Sequence, residues 1–246
     1  MPTSVLVNSR LRYPDPEASY SPSERYPEYP FPAIAERPND VYAHLRRTLL
    51  QLELDKARIG TPEWNPLGDF ISRGSSVFVL CNFVYHRRAR ESAAKFAAKC
   101  IHGSVLRALC DYVLIAVGPE GRVQFGNAPL QYCRWERVFE ETGASHVAEF
   151  YRRERAPVTP KDLRLLSADR SALGRVHEVQ TGDDRDAVEV SLGSESLLAP
   201  IAGDGNHRAR FRIADYKPER IEAFHAGSRH RYVIHRDVLE SDVVIS

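Results

Sequence analysis

The sequence predicts an α/β fold: a mainly parallel sheet flanked by helices, with an antiparallel hairpin lobe near residues 175–215. Residues 75–170 alternate short apolar runs with helical segments, an order typical of parallel sheets covered by helices. Residues 177–180 and 187–192 alternate apolar and polar side chains on either side of a turn, as the strands of a hairpin do. These two patterns together define the fold class.

Proline and tyrosine are concentrated at the beginning of the chain. Residues 1–38 hold eight of the sixteen prolines and four of the eleven tyrosines. Proline fixes φ and favours an extended neighbour, whereas aromatic rings are stabilised by burial. We therefore expect residues 1–38 to form an extended arm that lies over the body. Residues 39–246 are expected to form a single α/β domain.

The first half of this domain has clear element signals. Asn39 or Asp40 can cap a helix that runs to about Asp55, because a short polar side chain accepts from the free N–H groups of the first turn. Residues 75–85 are apolar and rich in β-branched and aromatic side chains, which predicts a buried strand. Residues 90–100 are rich in alanine and predict a helix.

The next elements follow in close succession. Ser104 is the predicted N-cap of a helix that Gly118 and Gly121 end. Residues 122–126 predict a second strand, 133–142 and 145–154 two helices, 163–166 a third strand and 229–235 a later one. The run 243–246 is again apolar and the printed sequence stops there, so we expect the natural fold to continue beyond Ser246.

Composition excludes several classes of protein. The 246 residues carry 34 Lys and Arg against 33 Asp and Glu, a net charge of +1, which argues against a general nucleic-acid binder. No run approaches the roughly 18 apolar residues of a membrane span. The four cysteines form no Cys-x-x-Cys pair, so no metal site is predicted from them, and a reduced, cytoplasmic protein is expected.

Polar side chains collect where the predicted strands end. The carboxyl ends of parallel strands meet at one edge of the sheet, where ligands bind, and a helix N-terminus attracts anions. His102 is the candidate general acid or base, because the pKa of imidazole is near neutrality. The candidate ligand-binding residues are Asn82, His86, Ser104, Asn127 and Gln131. They predict an anion-binding pocket for a small molecule, although the same residue types also serve as caps and turn formers.

Three other clusters were weighed as sites. His225, His230 and His235 recur every five residues, but the last two point to opposite faces of a strand, so a shared metal site is not predicted. The acidic turn 183–186 is interrupted by an arginine and is interpreted as solvated. The basic and aromatic stretch 204–236 also contains acidic residues, which favours a solvated face or a lip for an anionic ligand over nucleic-acid binding.

Several strings of the chain resemble one family, the bacterial and archaeal domain-of-unknown-function 362 proteins. The string His102-Gly-Ser-Val-Leu-Arg is similar to the family's His-x-Ser-x-Ile-Arg helix start, and Gly126-Asn-Ala-Pro-Leu-Gln to its Gly-Asp-Ala-Pro-x-Gln turn. The segments 20–31, 60–69 and 229–246 also resemble family segments. The resemblance implies a pocket for an anionic ligand on an α/β scaffold.

The chain departs from the family pattern at positions that matter for chemistry. Leu80-Cys81-Asn82 stands where the family has Lys-Pro-Asn, and Asn127 replaces an Asp that could act as a base. The family's Lys-rich strand and Gly-rich segment would follow Ser246. The ferredoxin-like cysteine motifs attached to some relatives do not occur in this sequence, so no iron–sulfur cluster and no other cofactor is assigned.

Two functions follow from these residues. The first is an enzyme that acts on a small anionic metabolite with His102 as acid or base. The alternative is a non-catalytic binding or accessory protein, to which the replaced lysine and Asn127 correspond. The strand at 242–246 is expected to be an open sheet edge, which favours pairing with a second copy or a partner chain.

Overall fold

The computed structural model describes residues 12–170, 176–202, 223–226 and 228–246. The chain forms two compact units. Unit 1 comprises Met1–Asn127, Arg134–Asp162 and Ser241–Ser246, and unit 2 comprises Ala128–Cys133 and Leu163–Glu240.

The elements of unit 1 are five helices and four strands within the described residues. The helices are α1 (Asp40–Gln51), α2 (Ala93–Ala97), α3 (Gly103–Val117), α4 (Trp135–Glu141) and α5 (Ala144–Glu154). The strands are β1 (Ser76–Leu80), β2 (Arg122–Asn127), β3 (Val158–Asp162) and β9 (Val243–Ile245). Unit 2 contains β4 (Leu166–Arg170), β5 (Val176–Gln180), β6 (Ala187–Ser191), β7 (His225–Ala226), β8 (Arg229–His235), α6 (Ala199–Ala202) and α7 (Arg236–Leu239).

The strands of unit 1 form one parallel sheet in the order β3-β2-β1-β9. The central strand β1 is apolar along its length and its first four residues are buried, as expected for a strand covered on both faces. The predicted parallel sheet flanked by helices is therefore confirmed. The last strand, β9, pairs with β1 from Val77↔Val243 to Val79↔Ile245, and Asp242 accepts hydrogen bonds from the N–H and Oγ of Ser76, each at 2.8 Å.

The third parallel strand does not lie where the sequence predicts it. The prediction placed it at residues 163–166, whereas β3 occupies Val158–Asp162 and contains Pro160. Val123 N–H donates to Pro157 O at 2.8 Å. The main-chain N–H and C=O groups of the odd-numbered residues of β3 therefore point towards β2, and the main-chain nitrogen of Pro160 points away from it. Proline is tolerated at this position because its missing N–H would point out of an edge strand.

The described part of the arm, residues 12–38, packs into the core of unit 1; residues 1–11 lie outside the described residues. Tyr29 is buried in one cluster with Tyr42, Trp64, Ala108 and Tyr112. The ring of Tyr29, in the arm, meets the ring of Tyr42, in α1, edge to face, with the two centroids 5.9 Å apart. Burial of these rings is the main contribution that holds the arm in place.

A buried network of charges also ties the arm to α3. Arg107 is fully buried and donates to Asp111 one turn along the helix, to Ser19 O at 3.0 Å and to Tyr29 Oη at 2.8 Å. The guanidinium carbon lies 3.5 Å from the ring centroid of Phe150. The network satisfies donors that would otherwise be costly to bury.

The two helix starts differ in how well the sequence predicted them. Asn39 caps α1, and its side-chain oxygen accepts from Tyr42 N–H at 3.1 Å, as predicted, although α1 ends at Gln51 and not near Asp55. The prediction that Ser104 caps α3 is wrong. His102 is the N-cap, because its Nδ1 accepts the backbone N–H of Ser104. The sequence favoured Ser104 because serine is the more common capping residue.

Unit 2 is built from antiparallel strand pairs, which confirms antiparallel pairing in the predicted lobe, but the partners differ. β5 pairs with β4, and β6 pairs with β8, which also pairs with β7. The predicted hairpin between 177–180 and 187–192 does not form. Thr181 N–H and Gly182 N–H both donate to Leu165 O and turn the chain back beside β4. Residues 203–215 of the predicted lobe lie outside the described residues.

Within the described part of the chain, no helix combines the length and the apolar character that crossing a membrane requires.

Candidate ligand-binding site

The carboxyl ends of β1 and β2 lie next to the start of α3. Cys81 N–H donates to Gly126 O at 2.7 Å, so Asn82 and Asn127 both follow the last bond between these two strands. Ile101 N–H donates to Asn82 O at 2.9 Å, and Phe83 forms an antiparallel bridge with Cys100. The structure thus brings the segment that follows β1 alongside the segment that leads into His102.

Gly126 allows β2 and β3 to approach closely at this edge. A Cβ atom at this position would lie 1.8 Å from Lys161 O, a distance that no side chain tolerates. A glycine is therefore required at the position before Asn127. The side chain of Asn82 is exposed, and that of Asn127 is half-buried.

The ring of His102 is oriented by Ser104. Ser104 N–H donates to His102 Nδ1 at 3.2 Å, and Ser104 Oγ lies 2.8 Å from the same nitrogen. Because Nδ1 accepts the backbone N–H, the neutral ring carries its proton on Nε2. His102 can therefore present an N–H donor, but not a free basic Nδ1.

Two tyrosines of the arm lie against His102. Tyr13 stacks on the imidazole with centroids 4.1 Å apart and planes 7° apart, and Tyr20 meets it edge-on at 5.3 Å. Burial lowers the pKa of His102 to about 4. At neutral pH the ring is uncharged and only weakly basic, which is unfavourable for the predicted acid–base role, since such a group works best with a pKa near the working pH.

The N-terminus of α3 has its first amides engaged. Gly103 N–H donates to Thr142 O at 2.7 Å, and Val105 and Leu106 N–H both donate to His102 O. Ser104 is fully buried, so its hydroxyl is not reachable from solvent. These contacts favour a structural role of Ser104 in the first turn of α3 over a ligand-binding one.

His86 lies in a basic environment. It is 9% exposed, stacks on Tyr85 and accepts Arg134 N–H on Nδ1 at 3.1 Å. Its carbonyl accepts from Lys99 Nζ at 3.4 Å. Burial lowers the pKa of His86, and Arg137, Arg134 and Lys99 lower it further, whereas Glu141 raises it.

Gln131 belongs to unit 2, whereas the other five predicted residues belong to unit 1. The Gln131 carbonyl accepts from Ala168 N–H at 2.9 Å and from Arg164 Nη1 at 3.4 Å.

The largest differences from the sequence prediction concern side chains that it did not consider. The arginines around His86 and the two arm tyrosines over His102 come from distant parts of the chain. Arg87 and Arg88 are not among the predicted site residues, and nothing in the spacing of Arg134 or Arg137 connects them to His86. The arm's tyrosine density was the one available signal for Tyr13 and Tyr20.

Cysteine and metal chemistry receive no support at this edge. Cys81 is buried, and burial raises its pKa to about 12, which makes it a poor nucleophile. Among the residues that the structure describes, no group of three or more His, Cys, Asp or Glu side chains is arranged to hold a metal ion.

A cavity of about 570 Å³ opens along the arm. Its lining includes Tyr13, Tyr20, Arg37 and Asp40. None of the six predicted site residues belongs to its described lining, so it is adjacent to His102 only through the two tyrosines.

Comparisons with protein-family models, with curated proteins and with solved structures find no match to this chain. The resemblance to the domain-of-unknown-function 362 proteins therefore stays a prediction.

Proposed function

We propose that unit 1 binds a small anionic ligand at the carboxyl edge of its parallel sheet, beside the segment 82–86. The observation that carries this proposal is the group of cations around His86. Arg134 N–H donates to its Nδ1, Lys99 Nζ donates to its carbonyl, and Arg137 donates to the carbonyl of the next residue. Glu91 pairs with Lys99 and Glu141 with Arg137, but the exposed Arg87 and Arg88 follow His86, so this group holds more cations than carboxylates. A local excess of positive charge beside a low-dielectric wall attracts anions. Tyr85 provides such a wall, because its ring stacks on His86 at 4.3 Å.

The polar groups next to this basic cluster give the ligand directional contacts. Asn82 is exposed one residue beyond the sheet and can donate or accept. Its segment runs beside residues 100–101, which lead directly to His102. An anion or a carbonyl group at this edge would thus have an amide on one side and a neutral imidazole N–H on the other.

We propose binding, not catalysis, as the role of His102. The neutral ring donates from Nε2, its Nδ1 is occupied by Ser104, and Tyr13 covers one face. The pair formed by Ser104 Oγ and His102 Nδ1 has the separation of a nucleophile and its base. However, the complete burial of Ser104 leaves no room for a substrate carbon beside its hydroxyl. These contacts favour the non-catalytic alternative over the enzyme.

The test is a binding titration with sulfate, phosphate and citrate, followed by isothermal calorimetry and by thermal stabilisation. We expect saturable binding that weakens about tenfold in Arg134→Gln, because one cation beside His86 is lost. Arg152→Gln is the matched control, since Arg152 is an exposed arginine of α5 that pairs with Glu149. Equal affinities in the two variants, or no binding by the parent protein, would contradict the proposal.

A further comparison distinguishes binding from catalysis. His102→Asn keeps a capping acceptor but removes the imidazole, so it should weaken ligand binding while the protein stays folded. If the protein instead turned over a metabolite and His102→Asn abolished turnover without changing affinity, the enzyme would be the correct interpretation.

A further inference from the structure

His225 and His230 face each other directly across a strand pair of unit 2. They are register partners in the antiparallel pair of β7 and β8, so their side chains project from the same face of the pair. Their ring centroids are 5.7 Å apart and their planes differ by 30°. The five-residue spacing of His230 and His235 on one strand does not reveal the pairing of His225 with His230, because that pairing depends on the register of β7 and β8.

Three of the four ring nitrogens are buried and unsatisfied. His230 is 0% exposed, and neither its Nδ1 nor its Nε2 has a hydrogen-bond partner in the structure; the same holds for Nδ1 of His225. Buried polar atoms are almost always satisfied, and an exception calls for a bound water or ion. Two orphaned imidazoles on one face are therefore the strongest unexplained polar feature of unit 2 in the described residues.

Tyr232 lines one side of the pair. It lies two residues beyond His230 on β8, hence on the same face, and its ring meets His225 edge-on with centroids 5.1 Å apart. Its hydroxyl is held by Ser196 Oγ at 2.6 Å. The aromatic wall limits access of water and fixes the His225 ring, as the surroundings of metal sites commonly do.

We propose that His225 and His230 together bind one divalent d-block cation of the zinc or copper class. Imidazole nitrogens lie about 2.0–2.1 Å from Zn²⁺, so two rings that share an ion in tetrahedral geometry have centroids about 5 Å apart, close to the spacing observed. Water or an external ligand completes the coordination sphere, since the protein supplies two of the usual four ligands. Imidazole selects zinc and copper over magnesium and calcium, which prefer oxygen ligands.

The experiment is a titration of the untagged full chain with ZnCl₂ by calorimetry and with CuSO₄ by electron paramagnetic resonance. We expect one ion per chain, a Cu²⁺ spectrum with hyperfine coupling to two imidazole nitrogens, and no response to MgCl₂. His225→Asn and His230→Asn should each weaken Zn²⁺ binding at least about tenfold. His177→Asn is the matched control, because His177 is an exposed histidine of β5 in the same unit.

Several results would overturn the proposal: no Zn²⁺ binding by the parent protein at about 1 mM, coupling to a single imidazole, or affinities in both variants equal to that of His177→Asn. If circular dichroism shows that His230→Asn is unfolded, the half-buried His225 decides the question through His225→Asn. A bridging water in place of a metal would give the first of these results.

Discussion

Arg107 and Asp111 form an ion pair one turn apart on α3, with Nε and Oδ1 3.1 Å apart and both side chains fully buried. Asp111 also accepts from Tyr42 Oη and Tyr151 Oη. The pair joins the arm, α1 and α5 to the central helix, because each partner of the two charges comes from a different part of unit 1. The contribution of this ion pair to the free energy of unfolding can be measured.

Arg107→Met should lower the free energy of unfolding by about 3–5 kcal/mol, because it leaves Asp111 buried without its cation. Burial already raises the pKa of Asp111, so losing Arg107 should raise it further and make the loss smaller at pH 5 than at pH 7. Urea unfolding at the two pH values measures both effects. Arg152→Gln, which breaks an exposed pair, should cost less than about 1 kcal/mol; equal losses in the two variants would contradict the prediction.

Tyr13→Ala should raise the pKa of His102 from about 4 towards its ordinary value. The reason is that removing the stacked ring admits water, and desolvation is the cause of the shift. The measurement is an NMR titration of the imidazole Cε1–H signal. Tyr13→Phe keeps the ring and is the control, with no change expected. A pKa that stays near 4 in Tyr13→Ala would show that burial by other groups holds it there.

His102 should also make folding stability depend on pH. Its folded pKa of about 4 lies below the ordinary histidine pKa of 6.5, so its contribution to stability is complete above pH 6.5 and declines as the pH falls from 6.5 to 4. The effect is at most about 3 kcal/mol, at about 1.4 kcal/mol per pKa unit, and partial exposure reduces it. Urea midpoints of the parent and His102→Asn between pH 7 and pH 4 test this; parallel curves would refute it.

Asp242→Ala should loosen β9 from the sheet. Asp242 accepts hydrogen bonds from the N–H and Oγ of Ser76, and these bonds lower its pKa. The carboxylate therefore holds the residue before β9 to the first residue of β1. We expect faster amide hydrogen exchange at Ile245, whose N–H faces β1 in the observed register, with exchange in β2 unchanged. Glu240→Ala removes only an exposed pair with Arg236 and serves as the control. Exchange at β9 equal in both variants would contradict the role of Asp242.

The sequence predicted the elements that have strong local signals. β1 is short and largely apolar, β2 is short and alternates polar with apolar side chains before Gly126, and Asn39 is a favourable cap, so local chemistry determines them. β3 was missed because Thr159, Pro160 and Lys161 do not resemble a strand, and only its place at the edge makes this composition acceptable. The pairing of β5 with β4 depends on contacts to Leu165 that local turn residues do not encode.

The role of the candidate site stays a prediction, and its surroundings were not predictable from local sequence. The segment that contains Asn82 runs beside residues 100–101, near the edge where parallel strands end. The burial of His102 could not be foreseen, because it depends on Tyr13, which is 89 residues earlier in the chain. The basic surroundings of His86 depend in the same way on Arg134 and Arg137, which the chain returns to this edge only after β2.

Pro160 makes the two edges of the unit 1 sheet, β3 and β9, differ in their main-chain hydrogen-bond donors. A strand added beside β3 would find a pyrrolidine ring at the position where its carbonyl needs a donor. The opposite margin, β9, consists of Val243, Val244 and Ile245, all of which carry a main-chain N–H. Within the described residues, the main chain of this sheet can thus accept a further strand along β9, whereas Pro160 removes one donor midway along β3.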